Sequence, residues 1–198
     1  TSEVLGHYGL LLFRRPLSGS ELKARLDLAR AMTTSSGNFY TGLRYGLAQL
    51  LQSPNFLFRK EKATRGDRTL EPYSRATRLS YLMWGTTPDR ELLQSAQSGA
   101  LNTAAGLEKQ VDRLLASPRL ETGMRAFFTD MLELDTFDTV SKDALIYPKW
   151  GGAMPPSARE ETLRTAINLT LRENGDVRDL MTTRKTFINR SMAALYDV

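Results

Sequence analysis

Residues 78–92 have the sequence RLSYLMWGTTPDREL and decide the fold, because one apolar helical repeat stops there and another begins. Apolar residues at helical spacing before the break predict a buried stripe; they are Leu79, Leu82 and Met83. Gly85 suits the position just past a helix end, where the backbone turns left-handed. Thr87, Pro88 and Asp89 are typical of the cap and first turn of a following helix. The stretch therefore predicts a corner between two helices.

Helical spacing of apolar residues recurs along nearly the whole chain. One such stripe consists of Tyr40, Leu43, Leu47 and Leu50, and another of Leu107, Val111, Leu114 and Leu115. Two segments, 18–21 and 157–160, fit a capping box, in which a Ser side chain and a Glu side chain satisfy the first helical amides. Alternating patterns of useful length, typical of strands, are missing. The sequence predicts an all-α fold of about nine to eleven helices in two packed units.

A boundary is predicted at residues 63–72, where Thr, Gly, Asp and Pro cluster and large apolar residues are scarce. It separates a small N-terminal helical unit, residues 1–62, from a larger unit, residues 73–198. The chain begins on Thr1 in a pattern that is already helical and ends on Val198 without a polar tail. We therefore expect a piece of a longer polypeptide.

The composition excludes several kinds of site. The 198 residues contain no cysteine, so disulfides, thiolate metal sites and covalent haem attachment are excluded within the chain. His7 is the single histidine, so no histidine-based metal site can be completed and a Ser–His catalytic pair has only one candidate base. No apolar run approaches the roughly 20 residues of a membrane-spanning helix. We predict no metal, no cofactor and no membrane-spanning segment, and no residue is identified as catalytic.

The net charge of +5 is concentrated in one stretch. Residues 59–78 hold seven basic residues against three acidic ones; the basic residues are Arg59, Lys60, Lys62, Arg65, Arg68, Arg75 and Arg78. Of these, Arg59, Arg75 and Arg78 are candidate binding residues. The stretch lies beside aromatic residues that can stack on bases, namely Phe56, Phe58, Tyr73 and Tyr81. A basic nucleic-acid-binding domain is therefore one alternative, although a solvated linker explains the charge more simply.

A second alternative is an enzyme module with a pocket for an organic substrate. Trp84 stands at the predicted corner, and residues 146–156 combine two glycines, three prolines and two aromatic residues in a shaped loop. Tyr147 and Trp150 of that loop are candidate binding residues with Trp84, because aromatic side chains commonly line such pockets. If Trp84 is instead buried, its indole N–H needs a partner.

Several motifs resemble a tandem pair of bacterial families of domains of unknown function. The first group consists of FRRPL at 13–17, GLR at 42–44 and LLQSPNFLFR at 50–59. The second group begins at 78 and includes LSYLMWG at 79–85, PD at 88–89, LLASPR at 114–119, YPKW at 147–150 and TFINRSMAALY at 186–196. The resemblance covers nearly the whole chain and keeps the order of the motifs.

The resemblance implies a kind of parent protein and a location, and it implies no particular reaction. Such tandem domains occur in large exported proteins of planctomycetes and related bacteria, often beside c-type cytochrome domains. It implies a structural or interaction module of a larger exported, cytochrome-associated protein, and an oxidoreductase is one kind of parent that fits this resemblance. It further implies a periplasmic, envelope or secreted location. Any haem c would lie elsewhere in the parent protein or on a partner, and the expected partners are other domains of that polypeptide or a cytochrome.

Overall fold

The computed structural model describes residues 1–64 and 69–198, so Arg65 and Arg68 of the basic stretch and part of the predicted linker lie outside the described residues. Within the described residues there are ten α-helices and no strand, and an isolated antiparallel bridge joins Ala63 and Leu70. The predicted all-α fold is confirmed. The chain forms two compact units, Thr1–Ser117 and Pro118–Val198, which are described separately.

The first unit begins with four helices: α1 Ser2–Phe13, α2 Gly19–Ser36, α3 Phe39–Leu51 and the short α4 Pro54–Leu57. Ser18 caps α2 in the predicted capping box, since its Oγ accepts from the amide of Glu21 and the Glu21 carboxylate accepts from the Ser18 amide. Helices α2 and α3 approach closely at Gly42, where an added Cβ would lie 2.3 Å from the carbonyl oxygen of Ala29. The buried core of these helices is formed by Leu5, Phe13, Ala29 and Leu50.

The first unit continues with α5 Pro72–Trp84, α6 Arg90–Gln97, a 3-10 turn Ala100–Asn102 and α7 Ala104–Leu115. The predicted corner is present: Gly85 follows α5 with φ of +68°, which favours glycine because a side chain would be strained there. Asp89 caps α6 by accepting from the amide of Leu92 at 2.9 Å, so the cap is Asp89 rather than Thr87. A second buried cluster comprises Ala76, Trp84, Leu92, Ala96, Leu101 and Leu114.

The second unit contains α8 Arg119–Met131, a 3-10 helix Leu134–Thr139, α9 Met154–Ile167, a π-helical turn Asn168–Arg172, a 3-10 helix Val177–Met181 and α10 Arg190–Tyr196. Its buried core consists of Phe128, Leu134, Leu163, Ala166 and Ile167. Residues 140–153 connect the first 3-10 helix to α9 without a helix of their own.

Two further details of the sequence prediction are wrong. Ser157 does not cap a helix, because α9 already begins at Met154 and the Ser157 hydroxyl donates to the carbonyl of Ala153 at 2.6 Å. Leu82 is 65% exposed and does not belong to a buried stripe, whereas Leu79 and Met83 pack against the second cluster. The boundary at 63–72 stays a prediction: the two core clusters of the first unit lie on either side of it, yet both belong to the unit Thr1–Ser117.

Candidate functional site

The FRRPL segment ends α1 with a buried arginine. Arg14 has φ of 58° and is 5% exposed. Its guanidinium donates to the carbonyl oxygens of Asn55 at 2.6 Å and Phe58 at 3.1 Å, and more weakly to that of Phe56 at 3.4 Å. Arg14 therefore satisfies carbonyls in and just after α4 that have no helical partner. This clamp fixes the segment 55–58 against the end of α1.

Arg15 forms the second half of the same corner. Its guanidinium donates to both oxygens of Glu21, at 2.8 and 2.9 Å, in the bidentate geometry that suits a carboxylate. The Asn55 side-chain amide also donates to Glu21, at 3.1 Å. The hydrogen bond from Arg15 is the largest cause that lowers the pKa of Glu21 to about 2. Glu21 therefore stays ionised and holds α2 to the FRRPL corner.

A cleft lies between the segment 59–62 and one face of α5. The amide of Lys62 donates to Ser74 Oγ at 2.9 Å, which holds the segment along the helix. The Arg59 guanidinium lies 4.5 Å from the centre of the Tyr81 ring, and Arg78 lies 3.7 Å from the Glu61 carboxylate. The structure therefore brings together two candidate residues, Arg59 and Arg78.

The cleft has a large open part and a small inner part. The open part has a volume of about 360 Å³, and the inner part, which reaches Arg14 and Arg15, has about 60 Å³. The two parts share Lys60, Ser74 and Thr77. We call this cleft the basic groove; its basic residues are Arg14, Arg15, Arg59, Lys60, Lys62 and Arg78, and its acidic residues are Glu61 and Glu71.

Arg75 lies on another face of α5 and has a structural contact. Its guanidinium donates to the carbonyl of Leu101 and, at 3.3 Å, to that of Leu70.

Sequence reasoning did not single out Arg14, Lys60 and Lys62 as binding residues. Lys60 and Lys62 belonged to the basic stretch that was recognised, but nothing local shows that Arg14, far away in sequence, closes the same groove.

Trp84 is buried at the α5–α6 corner, with 3% of its surface exposed. Its indole N–H donates to the carbonyl of Leu114 at 3.0 Å, which supplies the partner that a buried tryptophan needs. The Arg113 guanidinium lies 5.6 Å from the indole ring and forms a bidentate ion pair with Asp89, at 2.7 and 3.0 Å. The Asp89 hydrogen bond is the largest cause that raises the pKa of Arg113. These contacts give Trp84 and Asp89 internal roles.

Tyr147 and Trp150 belong to the second unit. Tyr147 is 50% exposed, and the Lys142 ammonium lies 5.4 Å from the centre of its ring. Trp150 is partly buried, and its amide donates to the Tyr147 carbonyl at 2.9 Å. Lys149, between them, pairs with Asp197 near the end of α10. The loop is therefore held by backbone and ionic contacts within its own unit.

A polar cleft along α9 was not predicted from the sequence. It is lined by Arg125, Glu160, Arg164 and Phe187 and has a volume of about 230 Å³. Glu160 accepts from Arg164 at 2.7 Å and also from Arg125. Burial acts to raise the pKa of Glu160, but hydrogen bonds from both arginines outweigh it and lower this pKa. The charges of the cleft are thus largely paired with one another.

Two further classes of site have no support in the part of the chain that the structure describes. No group of three or more His, Asp or Glu side chains is placed to hold a metal ion among residues 1–64 and 69–198. No helix in these ranges has the length and apolar character needed to cross a bilayer.

Comparison with known families gives two matches. Residues 70–198 match the model of PSD4, a protein of unknown function (DUF1592), and residues 1–61 match that of PSD5, a protein of unknown function (DUF1595). No curated protein and no solved structure matches the chain.

Proposed function

The chain belongs to the PSD4 family of unknown function, and on this basis we propose that it is a structural and interaction module of a larger exported, cytochrome-associated protein. In this proposal the module binds other domains of the parent polypeptide or a partner such as a cytochrome. Any haem c is carried elsewhere in the parent or on that partner, because this chain contains no cysteine for its attachment. The location is the periplasm, the cell envelope or the medium.

The observation that carries the proposal is the use of motif residues for internal contacts. Arg14 of the FRRPL segment bonds backbone carbonyls, and Trp84 and Asp89 of the corner are bonded within the first unit. In the second unit, the Asn189 side chain donates to Ser157 Oγ at 2.8 Å and accepts from the Met192 amide at 3.0 Å. Residues whose hydrogen bonds lie within their own unit in this way stabilise a scaffold. An enzyme module has less support, since Trp84, its central aromatic residue, is buried.

The parent gene and its product provide the test. We expect the coding region around this chain to include a secretory leader, and the parent or a co-purifying partner to carry a CxxCH haem-attachment motif. Covalent haem survives denaturing electrophoresis, so a peroxidase stain should mark the parent or that partner in the envelope, periplasmic or secreted fraction. A parent confined to the cytoplasmic fraction contradicts export. A parent without CxxCH, purified without any haem-stained partner, contradicts the association with cytochromes.

A further inference from the structure

The excess positive charge of the chain belongs to one of its two units. Residues 1–117 contain sixteen lysines and arginines against ten acidic residues, whereas residues 118–198 contain eleven against twelve. The first unit therefore has a net charge of +6 and the second a net charge of −1. A charge imbalance of this kind attracts partners of opposite sign and speeds their association.

In the described part of the first unit, the basic groove includes several cations without a carboxylate partner. In the described residues, Lys60, Lys62 and Arg59 take part in no ion pair, and the Arg78–Glu61 pair at 3.7 Å is half-exposed. Ion pairs this exposed are weak, so Arg78 can exchange Glu61 for another carboxylate. Lys60 and Lys62 have no ion-pair partner in the described residues, and their ammonium groups are therefore available to an anion.

The inner end of the groove adds a fixed charge. Arg14 is almost fully buried, yet its hydrogen bonds go to three backbone carbonyls and to no carboxylate in the described residues. Its direct contacts in the described residues are therefore with carbonyl dipoles, although the Glu71 carboxylate also lines this end of the groove. A charge at a low-dielectric wall acts more strongly on a nearby anion than the same charge in water. The volume of about 60 Å³ at this end has room for one carboxylate-sized group.

The aromatic residues beside the groove favour a polypeptide over a nucleic acid. Base stacking needs an open aromatic face, but Arg59 lies over the Tyr81 ring. Phe56 and Tyr73 pack against the two core clusters. Phe58 is 62% exposed and has no aromatic neighbour in the described residues with which it could form a stacking platform. The helix face from Ser74 to Tyr81 is about 10 Å long, which matches about three residues of an extended chain.

We propose that the basic groove binds an acidic polypeptide segment, with one glutamate or aspartate carboxylate at the inner end near Lys60 and Lys62. This inference deepens the proposed function and rests on it, because it names the chemistry of the partner that the interaction module binds. The open part of the groove, beside Arg59 and Arg78, receives the neighbouring acidic residues of the segment.

Fluorescence anisotropy on the full 198-residue chain tests the groove. The probe is a fluorescein-labelled hexaglutamate, with labelled hexaglutamine and a labelled ten-residue oligothymidine for comparison. We expect the chain to bind hexaglutamate in 50 mM NaCl, at least about tenfold more weakly in 200 mM NaCl, and to bind hexaglutamine more weakly still. Failure to bind hexaglutamate at the lower salt overturns the inference. Tighter binding of oligothymidine than of hexaglutamate overturns the choice of a polypeptide.

A charge-matched pair of variants locates the site. Lys60→Glu with Lys62→Glu reverses two charges in the groove. Arg44→Glu with Lys109→Glu reverses two exposed charges elsewhere in the same unit, which have no ion-pair partner among the described residues. We expect the groove variant to bind hexaglutamate at least about tenfold more weakly than the chain, and the control to lose no more than about threefold. Equal losses in both variants overturn the groove as the site. Melting curves followed by circular dichroism establish that both variants are folded.

A measurement on the unmodified chain makes the test independent of mutation. Carbodiimide joins a carboxylate to a nearby lysine without a spacer, and mass spectrometry identifies the lysine. We expect hexaglutamate to be joined to Lys60 and Lys62, and attachment mainly to Lys23 or Lys109 contradicts the groove. The haem and fractionation results bear on the parent protein alone, so a failure of the proposed function and a failure of the groove are separate outcomes.

Discussion

Replacing Trp84 by phenylalanine tests whether the α5–α6 corner is a packing element. The change removes the hydrogen bond from the indole to the Leu114 carbonyl, which still accepts from the Ser117 amide at 3.3 Å. Because that carbonyl keeps a partner, the lost hydrogen bond costs about 1 kcal/mol. The smaller ring leaves a void in a site that is 3% exposed, which costs about 2 kcal/mol more. We expect the free energy of unfolding to fall by about 3 kcal/mol.

A loss of this size lowers the melting temperature by roughly 10 °C, which circular dichroism at 222 nm measures directly. The chain contains one other tryptophan, and Trp150→Phe is the matched control. Trp150 is partly buried and its indole makes no hydrogen bond within the described residues, so the control should melt within about 3 °C of the unmodified chain. In that control Trp84 is the only tryptophan, and its emission should lie at the short wavelength of a buried indole.

Two experimental results would contradict the prediction for Trp84. If Trp84→Phe melts within about 3 °C of the unmodified chain, the indole contributes little to the corner and its buried hydrogen bond is not important for stability. A long-wavelength emission from Trp84 in the control would show a solvated indole. Either result would restore the hypothesis of a ligand pocket at this tryptophan.

Three further predictions concern the clamp and the first helices. The pKa of Glu21 is lowered to about 2 in the folded chain, so its ion pair contributes fully to stability above the unfolded pKa near 4.5 and is lost as pH falls towards about 2. The free energy of unfolding, measured as a function of pH, should fall by about 1–2 kcal/mol over this range, and Glu21→Gln should reduce that fall. Arg14→Lys loses the forked contacts to three carbonyls and should cost about 2–3 kcal/mol in urea unfolding, whereas Arg44→Lys at an exposed site should cost less than about 0.5. Gly42→Ala forces α2 and α3 apart and should lower the free energy of urea unfolding by about 1–3 kcal/mol. Gly6→Ala is the control, because an added Cβ there meets nothing within 4 Å, and it should be neutral or stabilising. Equal effects of the two variants would contradict the close approach of α2 and α3.

Much of the fold follows from local rules in the sequence. The corner at 78–92 was predicted because Gly85 acts on the backbone at its own position, without regard to the rest of the chain. The start of α6 was predicted two residues too early, since Pro88 precedes the cap Asp89. The start of α9 was predicted too late, because Pro155 and Pro156 were taken as loop residues. A proline is tolerated in the first turn of a helix, where its missing N–H has no partner to lose, so α9 begins at Met154.

The candidate site depends on contacts that spacing alone does not reveal. Arg14 and Phe58 are 44 residues apart, and no periodic pattern links a buried guanidinium to a particular set of carbonyls. Lys60 and Lys62 were attributed to a solvated linker because their sequence neighbours are polar. Only the docking of the segment 59–62 on α5 makes them part of a groove. Leu82 shows the converse, since helical spacing places it beside Leu79 but no element among the described residues covers it.

The Arg14 clamp has a consequence for which substitutions the chain tolerates. The guanidinium bonds main-chain oxygens, so its partners are present whatever side chains stand at positions 56 and 58. Phe58 can therefore be exchanged without loss of the contact, while position 14 needs the long, forked, five-donor arginine side chain. The contact therefore restricts the residue at position 14 and does not restrict the side chains at positions 56 and 58. Screens of random variants should find position 14 intolerant and position 58 permissive, and the two positions should show little pairwise covariation.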